Sequence, residues 1–101
     1  QYEYEFNFSI SVFVMLNELK YITALGDYVK LVTVHDPIIV LATMKSFVAQ
    51  LPPERFMRIH KSYIINIDKV DKYNSRNIEI DGEKIPLSRH KKTDLIEALS
   101  A

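Results

Sequence analysis

The sequence predicts a mainly β fold, with small antiparallel sheets and two short helices. Val, Ile, Tyr and Phe are plentiful among its 101 residues while glycine occurs only twice, a composition that favours strands. Short apolar runs are separated by tight-turn signals, which is typical of antiparallel sheets. Only two segments show helical spacing, so the helices are expected to be minor additions to the sheets.

Four strands are expected in the N-terminal third. Apolar and polar residues alternate strictly from Tyr2 to Phe8, as they do in a strand with one buried face. Ile10 to Leu16 is predicted to be a second strand that is buried more deeply. The runs Lys20 to Leu25 and Tyr28 to Val34 flank Gly26-Asp27, whose glycine supplies the positive φ that a two-residue turn requires. These two runs therefore predict a hairpin.

The remaining strands follow the same logic. Asp36-Pro37 interrupts the apolar pattern and Ile38 to Leu41 resumes it, which implies another antiparallel pair. Phe56 to Asn66 and Lys69 to Tyr73 are predicted to be extended. Asp81-Gly82 is the strongest short hairpin signal in the chain. The strands that it joins are Ile78 to Ile80 and Lys84 to Leu87.

Capping residues and apolar spacing predict the two helices. Thr43 can cap the first helix, whose apolar residues recur at i, i+3, i+4 and i+7 and which Pro52-Pro53 ends. Ser88 or Thr93 caps the second helix. The residues expected to face the core are Met44, Phe47, Val48 and Leu51 in the first helix and Leu95, Ile96 and Leu99 in the second.

Composition excludes several classes of protein. There is no cysteine, which excludes a disulfide framework or a zinc ribbon and permits a reducing compartment. No apolar run is long enough to cross a bilayer and no signal peptide is visible, so we expect a cytoplasmic protein. The length predicts one domain over residues 1–101, with an N-terminal strand region at 1–12. Because the chain begins at Gln1, we expect it to be part of a longer protein.

Equal numbers of acidic and basic residues, 13 of each, conceal a strong local polarity. No acidic residue lies between Arg55 and Asn66 or between Lys84 and Thr93, whereas residues 1–27 contain four acidic residues and one lysine. Clustered cations raise the affinity of a surface for phosphates. The charge pattern therefore favours nucleic acid as the partner.

Arg89 to Lys92 are predicted to lie where the last helix begins. The helix dipole disfavours cations there, but a bound polyanion would remove this cost, because phosphate oxygens accept from free N–H groups and from cationic side chains. We therefore favour a functional site. The alternative is a solvated basic turn, with Thr93 as the cap and Asp94 in the first turn.

The other basic segment alternates polar and apolar residues. If its strand continues to Ser62, then Arg58, His60 and Ser62 share one face and could donate together to phosphates or base edges. The alternative is a structural histidine beside a few exposed cations.

No catalytic or metal-binding pattern is present. Ser62, His60 and Asp68 occur without a nucleophile elbow, a phosphate-binding loop or a dinucleotide fingerprint. His35, His60 and His90 lack the spacing of metal ligands. We predict a protein that is not an enzyme and needs no cofactor.

Three segments together resemble the LytTR family of bacterial DNA-binding domains, over roughly Phe13 to Leu99. They are residues 18–30, residues 56–66 with an aromatic-x-Arg-x-His-x-Ser-aromatic pattern ending in Asn, and residues 85–89 with a Pro-x-Ser-Arg pattern. The resemblance implies an elongated fold of small antiparallel sheets whose loops, and not a recognition helix, enter successive major grooves. It also implies the output domain of a two-component response regulator, which binds repeated DNA sites as a homodimer and follows a receiver or other regulatory domain.

The resemblance also assigns roles to residues. Arg89, Tyr28 and Val29 are expected to contact bases. The DNA backbone is expected to be contacted by Lys30, Arg58, His60, Lys61, Ser62, Ser88, His90, Lys91 and Lys92.

The predicted function is therefore sequence-specific binding of duplex DNA for transcription regulation. Arg89 is expected to read guanine through O6 and N7. A second hypothesis remains open, a protein-interaction or ligand-sensing β module that uses the aromatic N-terminal edge, formed by Tyr2, Tyr4 and Phe6.

Overall fold

Three antiparallel sheets and two α-helices form the fold in the computed structural model, which describes residues 3–101. The mainly β fold class predicted from the sequence is confirmed. The strands are β1 (Glu3–Asn7), β2 (Ser11–Met15), β3 (Leu19–Leu25), β4 (Tyr28–Thr33), β5 (Ile38–Leu41), β6 (Phe56–His60), β7 (Tyr63–Asn66), β8 (Lys72–Tyr73), β9 (Asn77–Ile80) and β10 (Glu83–Pro86). The α-helices are α1 (Met44–Gln50) and α2 (Lys92–Ser100), and 3-10 helices cover Leu16–Glu18, Ile67–Lys69 and Arg89–Lys91.

A five-stranded sheet with the order β5-β4-β3-β7-β6 lies at the centre of the fold. All of its neighbouring strands are antiparallel. β1 and β2 form a two-stranded sheet, and β10, β9 and β8 form a three-stranded sheet in that order. Most of these pairs are hairpins, which short connections allow only between antiparallel strands.

The two predicted hairpin turns form where the sequence places them. Gly26 has a φ of 62° between β3 and β4, a value that suits glycine at the first position of a two-residue turn. Asp81 and Gly82 both have positive φ, 52° and 81°, between β9 and β10. Two consecutive positive φ angles are the requirement of a type I′ turn, so local chemistry fixes this hairpin.

The two faces of the central sheet carry separate hydrophobic clusters. One face packs against β1, β2 and α1 through a first core, which includes the fully buried Phe6, Leu31 and Phe47. The β3-β7-β6 part of the opposite face packs against the three-stranded sheet and α2 through a second core, which includes Ile65 and Leu95. Because β4 and β5 contribute mainly to the first core, their opposite side remains uncovered.

The first N-terminal strand has one buried face as predicted, whereas the second is less buried than predicted. Tyr2, the first residue of the predicted strand, lies outside the described residues. Phe6 is fully buried, and the hydroxyl of Tyr4 donates to the carbonyl of Gln50, so these aromatic residues face the molecule and not a partner. The prediction that the second strand is deeply buried is wrong for Phe13, which is 54% exposed. β2 covers the first core with only one of its faces, so alternate residues point to solvent.

The segment from Phe56 to Asn66 is a hairpin and not one extended strand. Lys61-Ser62 forms the turn between β6 and β7, and the pairing register shifts between Arg58 and His60. The shared face predicted for Arg58, His60 and Ser62 in a continuous strand is therefore wrong. The turn contains neither glycine nor proline, so the usual sequence signal was absent.

Asn66 ends β7 with a fully buried side chain. Its amide nitrogen donates to the carbonyls of Leu16, at 3.3 Å, and Leu19, at 2.8 Å. Its Oδ1 accepts from the N–H of Asp68 at 3.1 Å, which begins the 3-10 helix that follows. The extended run predicted from Lys69 to Tyr73 is consequently shortened to β8.

The first helix begins as predicted and the second does not. Thr43 Oγ1 accepts from the N–H of Ser46 at 3.1 Å, which makes Thr43 the cap of α1. Neither Ser88 nor Thr93 caps α2, because a 3-10 turn comes first and Lys91 occupies the N-cap position without a side-chain hydrogen bond. Two residues predicted to face the core, Val48 in α1 and Ile96 in α2, are exposed.

Candidate nucleic-acid interface

Four loop segments meet at one end of the central sheet. The N–H of Ala24, beside the β3-β4 turn, donates to the carbonyl of Ser62 in the β6-β7 turn at 3.0 Å. The N–H of Ser88 donates to the carbonyl of Ile59 at 2.8 Å. Ser88 belongs to residues 87–92, which lead into the first turn of α2 and are here called the segment before α2. The loop between β5 and α1 reaches the same end, since Leu41 pairs with the residue that follows the β3-β4 turn. Segments far apart in sequence are thus assembled into one surface.

The β6-β7 turn and the segment before α2 enclose a groove of about 420 Å³, here called the central groove. Three cationic residues, Arg58, Lys61 and Lys91, are among those that line it. No acidic residue lines it. The groove is therefore a concentrated positive region, and its lining residues are Arg58, His60, Lys61, Ser88, His90 and Lys91.

Hydrogen bonds within the β6-β7 turn fix two side chains of the central groove. Arg58 Nη2 donates to the carbonyl oxygen of Lys61 at 2.6 Å, so one edge of the guanidinium holds the turn. The N–H of Ser62 donates to His60 Nδ1 at 3.1 Å. Because Nδ1 accepts, the ring proton of the neutral imidazole must lie on Nε2. Both residues therefore shape the turn that presents Lys61.

A second groove, of about 390 Å³, lies beside the first and shares Arg58 with it. The β3-β4 turn forms one wall through Gly26 and Tyr28, and the first turn of α1 forms the other through Lys45. This flanking groove contains one acidic residue, Asp27. The sequence interpretation missed Lys45, because its segment was assigned only a structural role as a helix start.

The third groove, of about 490 Å³, lies on the other side of the segment before α2. Arg89 and Lys92 line it together with Arg76 from the β8-β9 turn. The N–H of Leu87 donates to the carbonyl of Arg76 at 2.9 Å, which holds this turn against the segment. Arg76 was also missed, since it stands alone in a polar turn whose position depends on long-range packing.

The segment before α2 divides its side chains between two grooves. His90 and Lys91 line the central groove, whereas Arg89 and Lys92 line the third groove. Four ion pairs occur among residues 3–101, and each joins residues that line none of these three grooves. The groove cations consequently have no carboxylate partner within the part of the chain that the structure describes. They are available to an external anion.

Val29 and Lys30, which were expected to contact DNA, are placed differently from the other expected contacts. Val29 lines the flanking groove, but it is only 1% exposed and its side chain packs in the first core, so it offers almost no surface to a base. Lys30 lines none of the three grooves, although its cross-strand row through Thr23 and Tyr63 leads to His60 of the central groove. Tyr28 is exposed at the rim of the flanking groove, and Ser62 contributes main-chain hydrogen bonds to the turn.

The fold and this loop surface define the class of protein. The family model described as the LytTr DNA-binding domain matches residues 10–100. The chain therefore belongs to the LytTR family of DNA-binding domains.

Two relatives illustrate the match. An uncharacterized response regulatory protein of Vibrio cholerae serotype O1 is 32% identical over 85 residues, which cover 75% of this chain and 33% of that protein. The chain thus spans about a third of the length of this relative. A solved LytTr DNA-binding domain from Bacillus cereus superposes with a TM-score of 0.78 at 18% identity, covering 100% of this chain and 99% of that one. This second match shows that the two share a fold.

Two kinds of feature are absent from the described residues. Residues 3–101 contain no helix that is both long and apolar enough to cross a membrane. The same residues contain no cluster of three or more His, Asp or Glu side chains suited to hold a metal ion.

Proposed function

We propose that this chain binds duplex DNA sequence-specifically through the three grooves at the loop end of its central sheet, as the output domain of a response regulator. The observation that carries the proposal is the set of cations that these grooves bring together from four separate segments. Their lysines and arginines are Lys45, Arg58, Lys61, Arg76, Arg89, Lys91 and Lys92. A polyanion with many phosphates suits seven cations over three grooves better than a small ligand does.

Within this proposal the grooves have different tasks. Phosphate contacts position a protein on DNA, while contacts to base edges specify the sequence. Lys61, Lys91 and Lys92 are assigned to phosphates. Arg89 is assigned to a guanine, because an exposed guanidinium without a protein partner can donate both of its parallel N–H groups to O6 and N7. Tyr28 is the aromatic contact of the flanking groove.

The remaining backbone contacts are assigned by their position. Ser88 and His90 line the central groove and can donate to phosphate oxygens from there. His60 is assigned one contact through Nε2–H, since its Nδ1 is occupied by the turn. Lys30 lines none of the three grooves, so it is left out of the DNA interface in this proposal.

The wider assembly is part of the same proposal. Residues 1–101 act as one DNA-binding unit, located in the cytoplasm, that binds DNA as a homodimer on repeated sites and follows a receiver or other regulatory domain in the full chain. The response regulatory relative, three times the matched length, supports the presence of such a domain. We assign the unit a binding role and no catalytic role.

The test is a selection from a random duplex pool, followed by affinity measurements on the enriched and a scrambled duplex across a salt series. Enrichment of a defined motif, with affinity that falls steeply as salt rises, is the expected result. Arg89→Lys is the matched variant for Arg89→Ala, since it keeps the charge and loses the guanidinium fork. Equal affinity for enriched and scrambled duplexes would contradict the proposal.

A further inference from the structure

Two sheet surfaces of the molecule have no partner and point in opposite directions. One is the outer side of the β1-β2 sheet, here called the hairpin face. The other is the uncovered β4-β5 side of the central sheet, here called the open face. The first core separates β1-β2 from the central sheet, so the outward sides of these two layers lie on opposite sides of the molecule.

The hairpin face is acidic and apolar at once. Pairing places Glu5 opposite Phe13 and Glu3 opposite Met15, all on the side turned away from the core. Phe13 is 54% exposed, which is unusual for a large aromatic residue beside two carboxylates. Neither glutamate forms an ion pair within residues 3–101. The face is therefore a hydrophobic centre with unneutralised negative charge around it.

The open face has the complementary pattern. Cross-strand pairing aligns Lys30 with Ile39 and Tyr28 with Leu41 on one side of the sheet, and Ile39 and Leu41 are 55% and 58% exposed. On the same side, Tyr28 also pairs with Leu25 of β3. Lys30 is the only charged side chain of these five and has no carboxylate partner in the described part of the chain.

We propose that the hairpin face of one copy of this chain docks on the open face of a second copy, in a head-to-tail contact. Phe13 would lie against Ile39 and Leu41, and the carboxylates of Glu3 and Glu5 would surround the ammonium of Lys30. Each face alone leaves apolar surface in water, and contact between them removes it while bringing opposite charges together.

The direction of this contact suits the proposed DNA binding. Only this relation to DNA rests on the proposed function, and the contact between copies does not. Head-to-tail copies stack along the normal of the central sheet, whereas the three grooves lie at the ends of its strands. We place successive copies with their strands aligned, so that every copy presents its grooves to the same side, where one duplex can run past them. A head-to-tail contact does not close on itself, so it must be weak enough that the chain remains soluble without DNA.

Sedimentation of the isolated chain over a concentration series tests the contact without DNA. Phe13→Ser damages only the hairpin face and Ile39→Ser only the open face, and both residues are exposed enough to leave folding intact. We expect each variant to lower the association constant at least roughly tenfold. Val48→Ser, which removes a similarly exposed apolar residue from α1, is the matched control and should leave association unchanged.

Mixing the two variants distinguishes this contact from a symmetric one. A Phe13→Ser copy keeps an intact open face and an Ile39→Ser copy keeps an intact hairpin face, so the mixture should recover a heterodimer that neither variant forms alone. Glu5→Lys and Leu41→Ser provide a second pair with the same expectation. Failure of the mixtures to associate would overturn the proposal, because a two-fold contact is lost in both variants without complementation.

Two further outcomes would also overturn it. One is a wild-type chain that stays monomeric up to about 1 mM, a concentration that would detect any contact worth more than a few kcal/mol. The other is association that neither Phe13→Ser nor Ile39→Ser weakens. DNA binding by the same variants distinguishes failure of this contact from failure of the proposed function. On duplexes with one selected site the variants should bind like wild type, and on duplexes with two adjacent sites they should lose cooperativity.

Discussion

The two basic segments at the loop end differ in how they use their side chains. In the β6-β7 turn, Arg58 donates to the carbonyl of Lys61, and His60 accepts from the N–H of Ser62. In the segment before α2, by contrast, Arg89 makes no ion pair and Ser88 makes no side-chain capping bond in the described structure. The first segment is a fixed support, whereas the second keeps its donors for an external partner.

The difference teaches that similar basic sequences can serve different purposes. A guanidinium already bonded to a carbonyl loses less freedom on binding, but it has fewer donors to offer. An unbonded guanidinium offers its full fork at the cost of becoming ordered in the complex. We therefore expect substitutions in the turn to act through the shape of the surface, and substitutions before α2 to act through direct contacts.

The largest expected effect is on folding, through the buried Asn66 at the end of β7 that lies away from the β6-β7 turn. Asn66→Ala leaves the carbonyl of Leu19 and the N–H of Asp68 without their partner in a buried site, so we expect a loss of about 2–4 kcal/mol in unfolding free energy. Asn74→Ala is the matched control. This change removes the two hydrogen bonds that the N–H groups of Arg76 and Asn77 donate to Asn74 Oδ1. Water can replace both bonds because Asn74 is exposed. Denaturant unfolding measures the unfolding free energy of both variants. Equal losses would contradict the prediction that the buried hydrogen bonds of Asn66 matter more than the exposed ones of Asn74.

The second largest effect is expected for Arg89, the residue proposed to contact a base. Arg89→Ala should cost on the order of 1–3 kcal/mol of binding to the selected duplex and relax preference at one position. Arg89→Lys should recover part of the affinity and little of the preference, because a lysine attracts phosphate but cannot form the bidentate contact. A repeated selection with each variant measures this. An unchanged motif in the alanine variant would remove Arg89 from the base-reading role.

A double-mutant cycle sharpens the comparison between support and contact. If Arg58 acts by holding Lys61, then Arg58→Gln and Lys61→Ala remove the same interaction with DNA, and their effects on binding should overlap by about 0.5–2 kcal/mol. If each cation bound its own phosphate, the effects would add. A second cycle with Lys61→Ala and Lys92→Ala is the control. Its two effects on binding should add, because Lys92 lies in a different groove. Additivity in both cycles would show that Arg58 is an independent contact.

The smallest expected effects are those of single phosphate contacts. Lys45→Ala should weaken binding to enriched and scrambled duplexes alike and lower the slope of log K against log salt by about 0.9. The slope measures the number of neutralised phosphates, so it reports a contact even where the affinity changes little. Lys84→Ala changes the net charge equally but lies outside the three grooves, and its slope should match wild type. A Lys45 slope like that of Lys84 would exclude the flanking groove from the interface.

Local chemistry explains which parts of the fold could be predicted from the sequence. The Gly26 and Asp81-Gly82 turns form where expected because positive φ is required within two residues, and few residue types tolerate it. The Thr43 cap is confirmed for the same reason, since its hydrogen bond closes within three residues. The Lys61-Ser62 turn was missed because its stabilising bonds come from Arg58 and His60 and leave no glycine or proline signal.

Long-range packing decided the composition of the candidate interface. The sequence identified Arg89, Lys61 and their neighbours by charge and family pattern, but it placed Val29 among them although this residue is buried in the first core. Lys45 and Arg76 joined the surface only because their turns are brought beside the basic segments. Neither has a local pattern that distinguishes it from any other exposed cation.

The sequence by itself determined the β3-β4 and β9-β10 hairpins, the first helix and the family, because turn conformations, caps and motif residues depend on interactions within a few positions. The tertiary structure alone decided the three grooves and the two unpartnered faces. These depend on the strand order β5-β4-β3-β7-β6, which sets which loops meet at one end and which side of β4 and β5 stays uncovered. Strand order follows from the burial of residues distant in the chain, so no local pattern encodes it.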